Sequence, residues 1–362
     1  MMKRIVIKVG SNVLTRGDGR LDVTRISALV DQIVWLRKNG YEVILVTSGA
    51  VAGGRSEFKA KKSLDSISQR QLFSAIGQVK LMNLYYDLFR ENNVHIGQVL
   101  TTKENFGTRH LYLNQRSCVQ IMLDNGVLPI VNENDTVSIT ELMFTDNDEL
   151  SGLVATMMGA DTLVLLSNID GVYNGSPKKK DTCVIPLVYP SDDLASYISD
   201  EKSQAGRGGM ITKFHIARKV ADEGVRVIIA NGKTDNILIR LFQNPKETLH
   251  TEFVPNSDVA SGVKKWIAHS GSFAKGCVHI NATAAQALRS RRAASLLMVG
   301  VTGVEGDFEE GDIVNIVDPN GNVIAIGRSS YDYGQAVLFI GKHDVRPIVH
   351  YDYLYMEKEI KQ

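Results

Sequence analysis

The stretch "RIVIKVGSNVL", residues 4–14, combines a nearly continuous apolar run with a lysine at its end and a Gly-Ser pair just after it. Such a run is typical of a strand buried on both faces, as in the parallel sheets of α/β proteins. Lysine, glycine and a hydroxyl are the components of a phosphate loop, but in a Walker loop the lysine follows the glycines. Here Lys8 precedes Gly10, so this stretch predicts a phosphate site of a different kind.

Strand-like runs alternate with helix-length segments from this stretch to about residue 242. The predicted strands are 4–9, 42–47, 94–99, 127–131, 162–166 and 225–230. Helical patterns lie between them, near 22–39, 68–92, 110–125, 149–159 and 210–223. The segment 136–145 breaks the rhythm and predicts a β-hairpin beside the sheet. This alternation predicts an α/β fold, with an open, mostly parallel sheet sandwiched by helices.

The alternation lapses near residues 243–275, where turn-forming Pro, Asn, Gly and Ser cluster. We therefore expect two domains, at 1–243 and 276–362, with a linker at 244–275. Beyond the linker, short strand-like stretches at 278–280, 313–317, 323–327 and 336–340 accompany one short helix near 283–290. That pattern predicts a small β-barrel-like domain.

Composition argues against several classes of partner. The formal net charge of +1 gives no global attraction to nucleic acid or to an anionic membrane surface.

Cys118, Cys183 and Cys277 lie far apart, without the spacing of metal ligands, which indicates free thiols in a reducing compartment. The N-terminus does not resemble a signal peptide, and no apolar run approaches the roughly 18 residues of a membrane span. We expect a cytoplasmic protein.

Four clusters rich in glycine and polar residues come directly after predicted strands. They are "KVGSN" (8–12), "TSGAVAGG" (47–54), "NENDT" (132–136) and "SNIDGVY" (167–173). Each alone could be ordinary turn chemistry. Ligands of open α/β sheets bind at the carboxyl ends of the strands, so four clusters at that edge favour a binding site.

Two of the clusters suit anions. Gly10 and Ser11 let the backbone approach a phosphate closely, with amide hydrogens as donors. Ser48 and Gly49 open a helix, whose free N–H groups attract an anion or hold a carboxylate.

The third cluster suits an amino acid. Asp135 is a plausible partner for a substrate ammonium, while the amides of Asn132 and Asn134 suit a carboxylate at the other end. The following "DND", residues 146–148, opens another helix, where its carboxylates either cap that helix or act in the site.

A glycine-rich segment supplies a second lysine. "GRGGMITK", residues 206–213, puts glycines before a helix and Lys213 one turn inside it. Phosphoryl transfer mainly requires positioning and cations around the equatorial oxygens, so Lys8 and Lys213 are expected to bracket the transferred group. Asp148 would orient both lysines, because two buried ammonium groups without a carboxylate tend to lose charge.

These motifs together resemble the amino-acid kinase superfamily and, within it, the glutamate 5-kinase family. The resemblance rests on "KVGSNVL", "VTSGAVAGG", "VNEND", "TDNDEL", "SGLVA", "GVY" and "GGMITK". Bacterial members similarly carry a C-terminal PUA domain, and the segment 294–316, with Val304, Gly306 and Phe308, is similar to one. The resemblance covers nearly the whole chain.

The resemblance implies a function and a set of residue roles. The reaction would be ATP-dependent phosphorylation of the L-glutamate γ-carboxylate to L-glutamyl 5-phosphate, the first step of proline biosynthesis. The implied catalytic residues are Lys8, Asp148 and Lys213. The implied substrate-binding residues are Ser48, Gly49, Asn132, Asn134, Asp135 and Asn147. The implied ATP-binding residues are Lys8, Gly10, Ser167, Asn168, Arg207, Gly208, Gly209, Met210, Ile211, Thr212 and Lys213.

The same resemblance implies partners and regulation. Mg²⁺ would arrive with ATP rather than occupy a protein cage. Proline would inhibit the enzyme as the end product of the pathway, and the chain would assemble as a homo-oligomer, either a dimer or a tetramer.

Other functions compete with this interpretation. Another acyl-phosphate-forming kinase, of the N-acetylglutamate kinase or aspartokinase type, is the main alternative, although an acetamide would have no use for Asp135. PUA domains often bind RNA, but residues 270–362 carry 9 Lys and Arg against 11 Asp and Glu, and RNA-binding surfaces are normally basic. An amino-acid sensor with an inactive kinase site is a further alternative. The presence of both lysines and of Asp148 argues against it.

Overall fold

The computed structural model describes residues 2–138, 144, 146–175, 182–192, 210–256, 267, 274–290 and 294–356. The chain divides into two units: the first takes in Met1–Thr102 and Arg116–Val259, and the second takes in Lys103–Gln115 and Ala260–Gln362. No helix in the described ranges has the length and apolar character needed to cross a bilayer.

Strands and helices alternate through the first unit, as the sequence predicts. The strands are β1 (Lys3–Val9), β2 (Tyr41–Val46), β3 (Ile96–Thr101), β4 (Leu128–Glu133), β5 (Thr162–Ser167), β6 (Leu187–Val188), β7 (Arg226–Asn231) and β8 (Thr251–Phe253). The helices up to this point of the chain are α1 (Ser11–Leu14), α2 (Val23–Lys38), α3 (Ala50–Glu57), α4 (Ser66–Glu91), α5 (Glu104–Gly107), α6 (Arg109–Asp124), α7 (Asn147–Met158), α8 (Met210–Asp222) and α9 (Ile237–Gln243).

The strands of the first unit form a sheet with the order β3–β4–β2–β1–β5–β7–β8–β6. The pairs from β3 to β7 are all parallel, and β8 runs antiparallel to β7. The predicted open, mostly parallel sheet is therefore confirmed. β8 lies inside the segment 244–275 that we expect to be a linker, so the sheet continues past residue 243; the domain limits themselves stay a prediction.

β1 lies at the centre of the sheet, and its residues from Ile5 to Val9 are all buried. The apolar side chains of α2 and α4 pack in one core cluster with β1 and β2. α7 is buried along almost its whole length, from Asp148 to Met158. A charged residue in the first turn of α7 is consequently held inside the protein rather than at its surface.

Glycines let α3 and α4 approach each other backbone to backbone. A Cβ atom at Gly77 would lie 1.7 Å from the carbonyl oxygen of Ala50, and one at Gly54 would lie 1.9 Å from that of Phe73. Real Cβ atoms do not occupy such positions, so these two residues must be glycine at this helix separation. The contact sets the start of α3 against the middle of α4, beside the carboxyl end of β2.

The second unit has a five-stranded sheet with the order β10–β9–β11–β12–β13. Its strands are β9 (Gly276–Ile280), β10 (Val301–Gly306), β11 (Ile313–Val317), β12 (Val323–Arg328) and β13 (Leu354–Met356), and its helices include α10 (Ala282–Arg289) and α11 (Tyr333–Phe339). Phe308 is buried in the core. Gly306 has a φ of 102°, in the left-handed region that favours glycine, and packs against the backbone of Lys275.

The predicted strand at 336–340 is wrong: these residues lie mainly in α11, because the Asp332 side chain accepts a hydrogen bond from the N–H of Gln335 and starts a helix that buries Ala336. The predicted hairpin at 136–145 falls mostly outside the described residues; residues 136 and 137 lie in a turn.

The close helix contact generates a prediction about stability. Gly77→Ala should force α3 and α4 apart and lower the midpoint of urea unfolding, by the equivalent of about 1–3 kcal/mol for overpacking. Gly17→Ala is the matched control, because a Cβ atom there meets nothing within 4 Å. An unchanged midpoint for Gly77→Ala would show that the two helices can separate without cost.

Candidate active site

The carboxyl ends of the parallel strands meet at one edge of the sheet. Lys8 of β1 lies in register with Val46 of β2, which in turn pairs with Val131 of β4. Ser167 ends β5 and pairs with Asn231, which ends β7. The four clusters predicted from the sequence therefore lie along the same edge.

Asp148 bridges the two predicted lysines. Its Oδ1 lies 2.5 Å from Lys8 Nζ and its Oδ2 lies 2.9 Å from Lys213 Nζ. The side chains of Asp148, Lys8 and Lys213 are only 1%, 6% and 13% exposed. Residues far apart in the sequence thus form one buried ion triad, from the central strand and the first turns of α7 and α8.

The triad keeps Asp148 ionised. Burial by itself would raise the pKa of Asp148, but the ammonium groups of Lys8 and Lys213 outweigh burial and hold that pKa at about 2. The carboxylate therefore carries its full charge at any pH at which the protein would work.

Asp146 has the opposite environment. One of its oxygens caps α7 by accepting hydrogen bonds from the N–H groups of Asp148 and Glu149. The other oxygen is buried, with no hydrogen-bond partner among the described residues. Burial, with repulsion from the Asp148 carboxylate, raises the pKa of Asp146 to about 6. The two carboxylates of the "DND" motif thus have different roles: Asp146 caps the helix and Asp148 bridges the lysines.

Asn147, between these two carboxylates, joins the ends of β2 and β4. Its Nδ2 lies 2.7 Å from the Thr47 carbonyl oxygen, 3.1 Å from Ser48 Oγ and 2.9 Å from Asn132 Oδ1. The structure therefore brings together three residues that the resemblance assigns to the substrate. Gly49, the fourth residue here, has a φ of 99° and precedes α3.

Asp135 carries an ion pair that sequence reasoning missed. Arg70, on α4, donates from Nε to Asp135 Oδ1 at 2.6 Å and from Nη2 to Glu133 Oε2 at 2.7 Å. Burial and the neighbouring Asp135 charge raise the pKa of Glu133, and the Arg70 guanidinium opposes that shift. Asn134 lies nearby, where its Oδ1 accepts a hydrogen bond from Thr136 Oγ1.

The other end of the site follows β5. Ser167 is buried and Asn168 is exposed. Beyond them, the Asp170 carboxylate accepts hydrogen bonds from Asn231 Nδ2 at 2.9 Å and from the Tyr173 hydroxyl at 3.0 Å. This cluster fixes the segment after β5 to the end of β7.

Gly10 and the start of α8 complete this end. The Gly10 N–H donates to the Leu166 carbonyl oxygen, and a Cβ at Gly10 would lie 3.6 Å from Lys8 Nζ. Arg207, Gly208 and Gly209, with the side chains of Met210 and Ile211, lie outside the described residues. Thr212 and Lys213 lie in the first turn of α8.

Helix α4 supplies the site residues that the sequence did not reveal. They are Arg70, Gln78, which accepts a hydrogen bond from Asn132 Nδ2, and Tyr85, whose hydroxyl lies 2.9 Å from Thr47 Oγ1. Burial raises the pKa of Tyr85 to about 12. One signal was available: Arg70, Ser74 and Gln78 recur every four residues, which puts polar groups on one helix face.

Comparison with known proteins shows which family the chain belongs to. The model of the amino acid kinase family matches residues 3–231, and that of the PUA domain matches residues 276–351. In structure, the chain is similar to the carbamate kinase from Giardia lamblia bound to AMP-PNP, with a TM-score of 0.51 and 17% identity, over 70% of this chain and 99% of that one. The chain therefore belongs to the amino acid kinase family and carries a C-terminal PUA domain.

Relatives of higher sequence identity show to which family of amino-acid kinases the chain belongs. The chain is 61% identical to a glutamate 5-kinase of Bacteroides thetaiotaomicron over 354 residues, which cover 98% of both chains. It is 44% identical to a glutamate 5-kinase of Chlorobaculum tepidum, over 98% of this chain and 97% of that one. The chain belongs to the glutamate 5-kinase family, and the resemblance noted from its motifs is confirmed.

The raised pKa of Asp146, which caps α7, generates a prediction about how stability depends on pH. Because the pKa of Asp146 is raised in the folded protein, the folded state loses stability as the pH rises from about 4 through about 6. Asp146→Asn keeps a capping oxygen and removes the charge. The variant should exceed the wild type in free energy of unfolding at pH 8, by roughly 1–3 kcal/mol, and match it near pH 4. Urea unfolding at both pH values measures this; a difference that does not change with pH would contradict it.

Proposed function

We propose that this protein transfers the γ-phosphoryl group of ATP to the γ-carboxylate of L-glutamate, yielding L-glutamyl 5-phosphate at the start of proline biosynthesis. The observation that carries the proposal is the Asp148 carboxylate held between the ammonium groups of Lys8 and Lys213. Asp146, whose pKa is about 6, offsets part of the positive charge nearby, but the triad itself sums to one net positive charge. That charge suits a phosphoryl group whose oxygens gain negative charge during transfer.

The proposed step needs no general base. A substrate carboxylate is already ionised near neutral pH. One of its oxygens attacks the γ-phosphorus, the bond from that phosphorus to the bridging oxygen breaks, and ADP leaves with the electron pair. Lys8 and Lys213 stabilise the transferred group, and Asp148 keeps their two ammonium groups apart and in place.

The amino-acid end of the site would hold the rest of glutamate. Ser48, Asn132 and Asn147 form one hydrogen-bonded group there. Asp135, oriented by Arg70, would accept from the substrate ammonium. We also assign Gly49 and Asn134 to this end, on their positions beside the same strands.

The nucleotide end would lie along β5 and the start of α8. Gly10, Ser167, Asn168 and the segment 207–213 would hold ATP there. No trio of His, Cys, Asp or Glu side chains in the described part of the chain is arranged as a metal site. As the resemblance implies, Mg²⁺ would arrive with ATP, held mainly by the triphosphate, and would supply further neutralisation of its charge. A cytoplasmic location and a homo-oligomeric state also belong to this proposal.

A substrate panel tests the proposed function. ATP turnover should be measured by ADP release with L-glutamate, L-aspartate and N-acetyl-L-glutamate, and the acyl phosphate should be trapped with hydroxylamine. We expect turnover and trapped product with glutamate alone, because a free ammonium matches Asp135 and the γ-carboxylate must reach the two lysines. Comparable kcat/KM values with aspartate or N-acetylglutamate would contradict the assignment.

The shared chemistry of glutamate and proline generates a prediction about inhibition. Proline has the same α-carboxylate and an ammonium at the same spacing, but it has no γ-carboxylate to phosphorylate. Proline should therefore raise the apparent KM for glutamate and leave the KM for ATP nearly unchanged, and Asp135→Asn should weaken both amino acids together. Initial rates at several proline concentrations measure this. A fall in kcat at saturating glutamate without a change in KM would rule out a shared site.

A further inference from the structure

One face of α4 points polar side chains at the end of β4. Gln78 lies on this face, and its Oε1 accepts a hydrogen bond of 2.9 Å from Asn132 Nδ2. Asn132 is 2% exposed, and its own oxygen accepts from the N–H of Glu133 and from Asn147 Nδ2, both at 2.9 Å. Both ends of the Asn132 amide are thus engaged. A reversed amide would set donor against donor at Asn147, so Gln78 helps to fix its orientation.

Asn147 receives its orientation from this group. Its Nδ2 carries two hydrogens, and three oxygens lie within 3.1 Å: those of Thr47, Ser48 and Asn132. The nitrogen is therefore directed into the protein. In the described residues, no donor forms a hydrogen bond to its Oδ1. That oxygen is left to accept a hydrogen bond from a ligand.

We propose that Gln78 is a positioning residue for the amino-acid substrate: it acts through Asn132 to hold Asn147 with its carbonyl oxygen directed at the substrate ammonium. The proposal rests on the proposed function, since it assumes a substrate with a free ammonium at this end of the site. Gln78 itself does not touch the substrate. The three amides form a relay from α4 to the ligand.

The nitrogen of Gln78 supports this assignment. Gln78 Nε2 is buried, with no hydrogen-bond partner among the described residues. An unsatisfied buried donor opposes folding, so an apolar side chain of similar size would suit packing at least as well as glutamine. The reason for a glutamine at this position is therefore its Oε1 atom, which accepts the hydrogen bond from Asn132.

Two substitutions separate the oxygen from the nitrogen. Gln78→Met removes both polar atoms at similar size, and it should raise the KM for glutamate about tenfold, which corresponds to one lost orienting hydrogen bond. The KM for ATP should stay within about twofold, and the urea midpoint should change little, because the substitution removes one unsatisfied buried donor, Gln78 Nε2, and leaves another, Asn132 Nδ2. Gln78→Glu keeps an acceptor and removes the donor, so its KM for glutamate should stay within about threefold of the wild type.

Gln69→Met is the matched control. Gln69 lies on the same helix and donates one hydrogen bond to a backbone carbonyl, that of Leu64. The same substitution there should leave both KM values unchanged. If Gln78→Met does not fold, Gln78→Asn replaces it, since that change withdraws the same amide by one methylene and should also raise the KM for glutamate about tenfold.

A double-mutant cycle tests whether Gln78 acts through Asn147. With Asn147→Ala in place, Gln78→Met should add less than about twofold to the KM for glutamate, or to its dissociation constant if turnover is too slow. Additive effects would overturn the relay, as would an unchanged KM for glutamate in Gln78→Met or an equally large effect in Gln78→Glu. Those results would leave the proposed function standing, provided the wild type phosphorylates glutamate. A wild type that turns over none of the three amino acids would refute the function itself.

Discussion

A single buried carboxylate between two ammonium groups is the constraint on which this site depends. Burying a charge is costly unless a partner of opposite sign lies beside it. Asp148 meets that condition for Lys8 and Lys213 together, and their combined field keeps the pKa of Asp148 low. Because the three residues belong to β1, α7 and α8, the sheet order and the burial of α7 must both be correct before the triad can form. The chemistry proposed for the site thus depends directly on the fold, through this triad.

The amino-acid end is organised by a different means. Glycines bring α3 and α4 into backbone contact, which carries the polar face of α4 to the ends of β2 and β4. Arg70 then orients Asp135, and Gln78 reaches Asn132. Under the proposed function, the two ends of the site differ in physical character: fixed charges would surround the transferred phosphoryl group, and neutral amides with the two ion pairs of Arg70 would surround the amino acid.

Much of the fold could be read from the sequence, because buried parallel strands give continuous apolar runs and a sheet gathers their polar ends at one edge. Lys8 could be placed for the same reason, whereas Asp148 and Lys213 could be placed because each lies in a motif that opens a helix. Arg70 and Gln78 could not, since nothing in a helical pattern says which strand end a polar face will meet. The strand predicted at 336–340 failed because its apolar content outweighed the capping Asp332 in our interpretation. Local capping decided the structure there.

The most direct test of the central claim is the turnover of Asp148→Asn compared with its ligand binding. The asparagine keeps the shape of the bridge but no longer neutralises either lysine. We expect kcat to fall by at least about 100-fold, the loss typical of a removed electrostatic contributor, while the dissociation constants for ATP and glutamate stay within about threefold. A variant with kcat within about threefold of the wild type would contradict the account, because the lysines would then be positioned without the carboxylate that we place between them.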